Sequence, residues 1–169
     1  MTPALSPDEL IRSCERSAIH LEMRDGYMLE DPGLVAWQSG RLEETASCYQ
    51  PWMTLMQETV RRGVDVRRAR IVSEPLSEYV RFEYEISHFN VAAGEQVRWL
   101  ARSNASDLAL PGNDFWLIDE TWLVFTHFSG NGDVVGREQT RDPQLVKFCL
   151  EAFDAVWERA TPHDQYRPA

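Results

Sequence analysis

Between Asp142 and Pro162 apolar side chains return every third or fourth residue. Leu145, Val146, Cys149, Phe153, Val156, Trp157 and Ala160 line one face at helical spacing, behind an Asp142-Pro143 start of the kind that caps a helix. A helix with one broad oily face must lie on another layer. The layer is prefigured by segments of a different period. Ile19, Leu21 and Met23 alternate with His20, Glu22 and Arg24, which predicts a half-buried strand. Further strands are expected at Val64 to Val72, Val97 to Ala101, Phe115 to Ile118, Trp122 to Phe128 and Val134 to Glu138. Ser129-Gly130-Asn131-Gly132-Asp133 supplies the turn between the last two.

Other helices are marked by their starts. Ser6, Pro7 and Glu9 form a capping arrangement for a helix running to about Arg16. Asp31-Pro32 opens a short one to about Gly40, and Pro51 to Arg62 another that Gly63 ends. Ser73-Glu74-Pro75 predicts a longer helix to about Ala93, followed by Gly94 as a stop. These elements describe one domain over 1–169, with a mainly helical part at 1–63 and an α/β core at 64–166. The expected fold class is α/β (α+β): a mixed sheet whose carboxy-terminal strands are antiparallel and which helices flank.

Composition narrows the function classes. The 169-residue chain carries a net charge of −10, which repels phosphate backbones and argues against direct binding of nucleic acid or an anionic membrane. A basic protein is the partner it suits. No apolar run approaches the length of a spanning helix, and MTPALSPDEL lacks the character of a signal peptide, so a cytoplasmic location is expected. Arg61, Arg62, Arg67, Arg68 and Arg70 cluster, but they alternate with Val64, Val66, Ala69 and Ile71 as on the solvated face of a strand. Cys14, Cys48 and Cys149 are far apart and His20, His88, His127 and His163 are scattered. Reduced thiols, no structural zinc and no cofactor are therefore expected.

Some charged residues nevertheless need an account. Arg81, Glu83 and Glu85 project from a helix that is otherwise partly apolar. With Arg98 they fit either a salt-bridge network tying that helix to the strand Val97 to Ala101, or a small polar-ligand pocket. Asn113, Asp114, Asp119 and Glu120 bracket a strand; they suit turns, and clustered carboxylates also suit magnesium. His127, between aromatic residues with Asp133 close behind, is a packed histidine or a general base without an evident nucleophile. Trp52, Trp99, Trp116, Trp122 and Trp157 serve a core or an interface equally well.

The runs SEPLSEYVRFEYE (73–85), AAGEQVRWLAR (92–102), LPGNDFWLID (110–119) and FDAVWERATPHDQY (153–166) resemble an uncharacterised family of small acidic actinomycete proteins. That resemblance spans Ala18 to Tyr166. It implies a setting beside helix-turn-helix transcription regulators without assigning a biochemical role. The element order from Val66 to Ala160 is also similar to half of a phospholipase D-like domain. Active domains of that kind carry H-x-K-x-x-x-x-D ahead of a hairpin, with histidine as nucleophile and lysine as phosphate ligand. In the register set by Asp119, Gly112 stands at the histidine position and Asp114 at the lysine position. The resemblance thus implies a catalytically dead copy with Leu110 to Asp119 at the edge of the sheet. The expected function is a non-catalytic partner or sensor for a helix-turn-helix regulator. The alternatives are a metal-dependent hydrolase or nuclease built on Asp114, Asp119 and His127, and a member of a toxin–antitoxin-like pair.

Overall fold

The computed structural model describes residues 5–169; the first four residues of the segment read for a signal peptide lie outside that range. The elements run α1 (Pro7–Ser13), β1 (Ser17–Glu22), α2 (Pro32–Gln38), α3 (Leu42–Arg61), β2 (Asp65–Val72), α4 (Glu78–Ala92), β3 (Gln96–Ala101), β4 (Phe115–Ile118), β5 (Trp122–Phe128), β6 (Val134–Thr140), α5 (Pro143–Arg159) and β7 (Thr161–Pro162). Ser6 and Glu9 cap α1 reciprocally, and Asp142 caps α5 through the amides of Gln144 and Leu145.

Two helix starts differ from expectation. α3 begins at Leu42, so Pro51 sits inside it rather than at its first turn. The proline removes one backbone donor, and the helix is held across that gap by burial of Thr45 before it and Leu55, Met56 and Thr59 after it. α4 begins only at Glu78, with Ser77 as its cap. Ser73 is otherwise engaged: its amide and hydroxyl both donate to the Asp25 carboxylate, at 2.7 and 2.6 Å.

The strands form one mixed sheet of seven, in the order β6-β5-β4-β1-β2-β3-β7. β1, from the part of the chain expected to be mainly helical, occupies the middle. It runs parallel to β2, pairing His20 with Arg68 and Glu22 with Arg70, and antiparallel to β4, pairing His20 with Trp116. β4 is therefore an interior strand and not an edge. Strands β4, β5 and β6 form the expected antiparallel meander.

Because side chains alternate along a strand, the sheet has two unlike faces. Ile19, Leu21, Ala69, Ile71, Leu100, Phe115, Leu117 and Leu123 pack beneath Cys149, Phe153 and Val156 of α5. Burial pushes the Cys149 thiol up to about 12, as suits a small core hydrophobe. The opposite face lies under α1, α3 and α4. Its periphery is apolar, but its centre carries His20, Glu22, Arg68, Arg70 and Asp114, all buried. No helix among the described residues is long and apolar enough to cross a membrane.

Candidate functional site

The buried charges at the centre of that face form a continuous network. Glu22 accepts hydrogen bonds from Arg68 Nη1 at 3.0 Å and from Arg70 Nε, and lies 3.2 Å from His20 Nε2. Arg68 Nε also donates to Glu95 at 2.6 Å, whose other oxygen accepts from Asn90 of α4 at 2.7 Å. Arg70 Nη1 donates to Ser87 at 2.6 Å, and its Nη2 lies 3.5 Å from Glu83. His20 is fixed at both ends: Nδ1 donates to the Phe115 carbonyl at 2.7 Å, and the ring stacks on Trp116 with 4.2 Å between centroids. The guanidinium of Arg68 lies over Trp52 and Trp116, and that of Arg70 over Trp99, so each cation is matched by carboxylates and aromatic faces.

Beside the network is a cavity of about 370 Å³. Its floor is the polar centre of the sheet; its walls include Tyr27, Tyr49, Trp52, Tyr79, Phe82 and Phe128; exposed Met28, Cys48 and Arg137 open it to solvent. Its carboxylates are in unlike states. Burial opposes ionisation of Glu22, but Arg70 and Arg68 together hold it well below the usual carboxylate range. For Glu83 burial prevails: with Glu22 and Asp114 reinforcing it against Arg70, the carboxyl is pushed up to about 8. Asp114 is also raised by burial, although it accepts hydrogen bonds from the Tyr27 hydroxyl and from the Met23 amide at 2.9 Å.

Of the charged and polar residues singled out in the sequence as site candidates, Glu83 and Asp114 meet at this cavity, as do Trp52 and Trp116 of the tryptophans. The other polar candidates lie elsewhere. Arg81 is exposed on α4 and Asn113 is exposed before β4. Arg98 faces α5, where it donates to the Trp157 carbonyl at 3.0 Å and lies over the Trp157 ring. The expected network between α4 and β3 is thus built instead between α4 and β2, through Arg70. Glu85 accepts from Trp37 at 2.7 Å outside the network. Asp119 occupies the far end of β4, where it accepts from the amides of Glu15, Arg16 and Ser17 at 3.0, 2.7 and 2.9 Å. These three donors outweigh partial burial and hold it below the ordinary carboxylate range. Asp119 and Glu120 form the β4–β5 turn with positive φ of 52° and 53°. His127 alternates with cavity-lining Thr126 and Phe128 and so points to the opposite face, 3.7 Å from Glu138. Asp114, Asp119 and His127 do not converge. Among the described residues no group of three or more His, Cys, Asp or Glu is arranged to hold a metal.

The residues that sequence reasoning missed are His20, Glu22, Arg68 and Arg70. The arginines, expected on a solvated face, are 7 % and 4 % exposed. A signal was present: Glu22 of β1 is opposite in charge to Arg68 and Arg70 of β2, and parallel strands paired side by side are covered on both faces.

Residues 6–168 match the family model described as a domain of unknown function (DUF6879). None of the curated proteins compared with the chain matches it. Among solved structures, Nuc from Salmonella typhimurium, described as a phospholipase D family member, has a TM-score of 0.53 and 13% identity over 95% of this chain and 88% of its own. TrmBL2, described as an archaeal chromatin protein with a novel mode of DNA binding, reaches a TM-score of 0.46 at 13% identity, over 90% of this chain and 47% of its own. The first likeness shows a phospholipase D-like fold, and only the fold.

Proposed function

We propose that this chain, which belongs to the family described as a domain of unknown function (DUF6879), is a non-catalytic regulatory module serving as partner or sensor for a helix-turn-helix transcription regulator. One observation carries the reading: every group in the cavity that resembles phosphoryl-transfer machinery is already engaged within the protein. The histidine in the cavity has one ring nitrogen on a backbone carbonyl and the other beside Glu22. A nucleophile needs a free lone pair aimed at substrate, whereas the remaining ring nitrogen of His20 faces the Glu22 carboxylate. Arg68 and Arg70, the cations of the cavity floor, are held by hydrogen bonds to Glu22 and Glu95. An anion bound at that floor would meet guanidiniums already neutralised by carboxylates.

The net charge of −10 suits a partner with a basic surface, and DNA-binding regulators have one by necessity. The test is a pull-down of the chain from its native host, followed by gel filtration of the chain mixed at micromolar concentration with each helix-turn-helix protein it captures. A stoichiometric complex supports the reading. Two independent peaks, with and without operator DNA, overturn it, as does turnover of a phosphodiester by the pure chain that Asp114→Ala abolishes.

A further inference from the structure

We propose that the cavity on the polar face of the sheet binds an organic cation: a small molecule with an amine or quaternary ammonium group on an apolar body. This names a ligand for the sensor reading above and rests on it.

The ionisable groups around the cavity are unbalanced toward the acid, and Glu83, whose carboxyl is pushed up to about 8, gains its charge when a cation takes the place of its proton. Arg68 and Arg70 are matched within the network by Glu22 and Glu95. Glu83 and Asp114 remain, with Asp31 at the wall and Arg137 at the rim. Asp31 is partly used in capping α2, and Asp114 by Tyr27 and Met23. Glu83 is different. It is 7 % exposed, its carboxyl accepts no hydrogen bond among the described residues, and its ion-pair partner there is Arg70 Nη2 at the long distance of 3.5 Å. A buried carboxylate left this way is costly unless something charged or hydrogen-bonding reaches it. It borders a cavity into which such a group fits.

The walls agree with the floor. Tyr27, Tyr79, Trp52, Phe82 and Phe128 turn around the same space, and aromatic faces attract cations while offering an apolar body a surface to cover. A volume of about 370 Å³ is within the range of small-molecule sites. A phosphate or carboxylate ligand gains nothing from these aromatic walls, is repelled by the ionised Glu22 and leaves Glu83 without a counter-charge.

Isothermal calorimetry on the full chain tests this with benzyltrimethylammonium as the cation, benzyl alcohol as the neutral analogue and phenyl phosphate as the anion. The cation is expected to bind saturably, about tenfold or more tighter than the alcohol, and the anion to give no isotherm. Glu83→Gln should weaken the cation about tenfold and leave the alcohol unchanged. Arg137→Ala, a change at an exposed rim residue, should tighten the cation, and it decides the matter if Glu83→Gln does not fold. Phenyl phosphate binding as tightly as the cation overturns the proposal, as does no cation isotherm below about 10 mM. Cation affinity that neither variant alters overturns it too. A regulator complex without cation binding removes this inference alone; cation binding without any regulator complex removes the partner assignment alone.

Discussion

Glu83 makes folding depend on pH in a direction opposite to most carboxylates. Its carboxyl titrates at about 8 in the folded chain against 4.5 for the free group, so the folded state binds that proton more tightly. The stabilisation is complete below 4.5 and is lost as the pH rises through about 8. Thermal melts should show the wild type losing stability between about pH 6 and pH 9, and Glu83→Gln losing roughly 2–4 °C less over that range. Equal losses in the two proteins would contradict the assignment. Asp119 has the reverse character and a purely structural task. Asp119→Ala leaves three amides at the start of β1 without their acceptor, and urea unfolding should register a loss of about 1–3 kcal/mol with the cavity's ligand affinity unchanged. Both residues were visible in the sequence as charges needing an explanation, and neither partner set was. Glu83 was matched there with Arg98, on its neighbouring strand in sequence, whereas the sheet brings Arg70 to it. Which charges meet is decided by strand order, and alternation within a strand does not encode its neighbours.

At the scale of elements, period and punctuation were informative. The stripe of α5, the limits of β4 and the turn Ser129 to Asp133 were all legible, because each is settled by local chemistry. The placement of β1 at the centre of the sheet was not, because its six residues read the same at an edge or in the middle. The β5–β6 turn has a second role that its sequence concealed. Gly132, at φ 90°, lies against Tyr27: an added Cβ would come within 3.0 Å of the Tyr27 backbone, and the Met28 amide donates to the Gly132 carbonyl at 3.1 Å. The turn therefore steadies the segment from Met23 to Tyr27, whose tyrosine closes on Asp114. Gly132→Ala combines a disfavoured backbone conformation with a close contact. It should cost about 1–2 kcal/mol in denaturant unfolding and weaken ligand binding at the cavity; a variant with wild-type affinity would show that the segment is positioned independently of the turn.

For the whole molecule, the acidity that first suggested a basic partner remains the best handle on assembly. If the regulator is recognised through that charge, the dissociation constant of the complex should rise several-fold between about 50 mM and about 500 mM salt. Surface plasmon resonance measures this directly, and a salt-independent constant would locate the recognition in apolar contacts instead. The two faces of the sheet differ in what they demand. Under α5, Phe153 is fully buried, and Phe153→Ala should cost about 3–5 kcal/mol by calorimetry while leaving the opposite face's chemistry intact. A sheet clad so unequally gives the molecule one sealed seam under α5 and one recess, so a change of side chain in the recess can retune what is received there without loosening the seam.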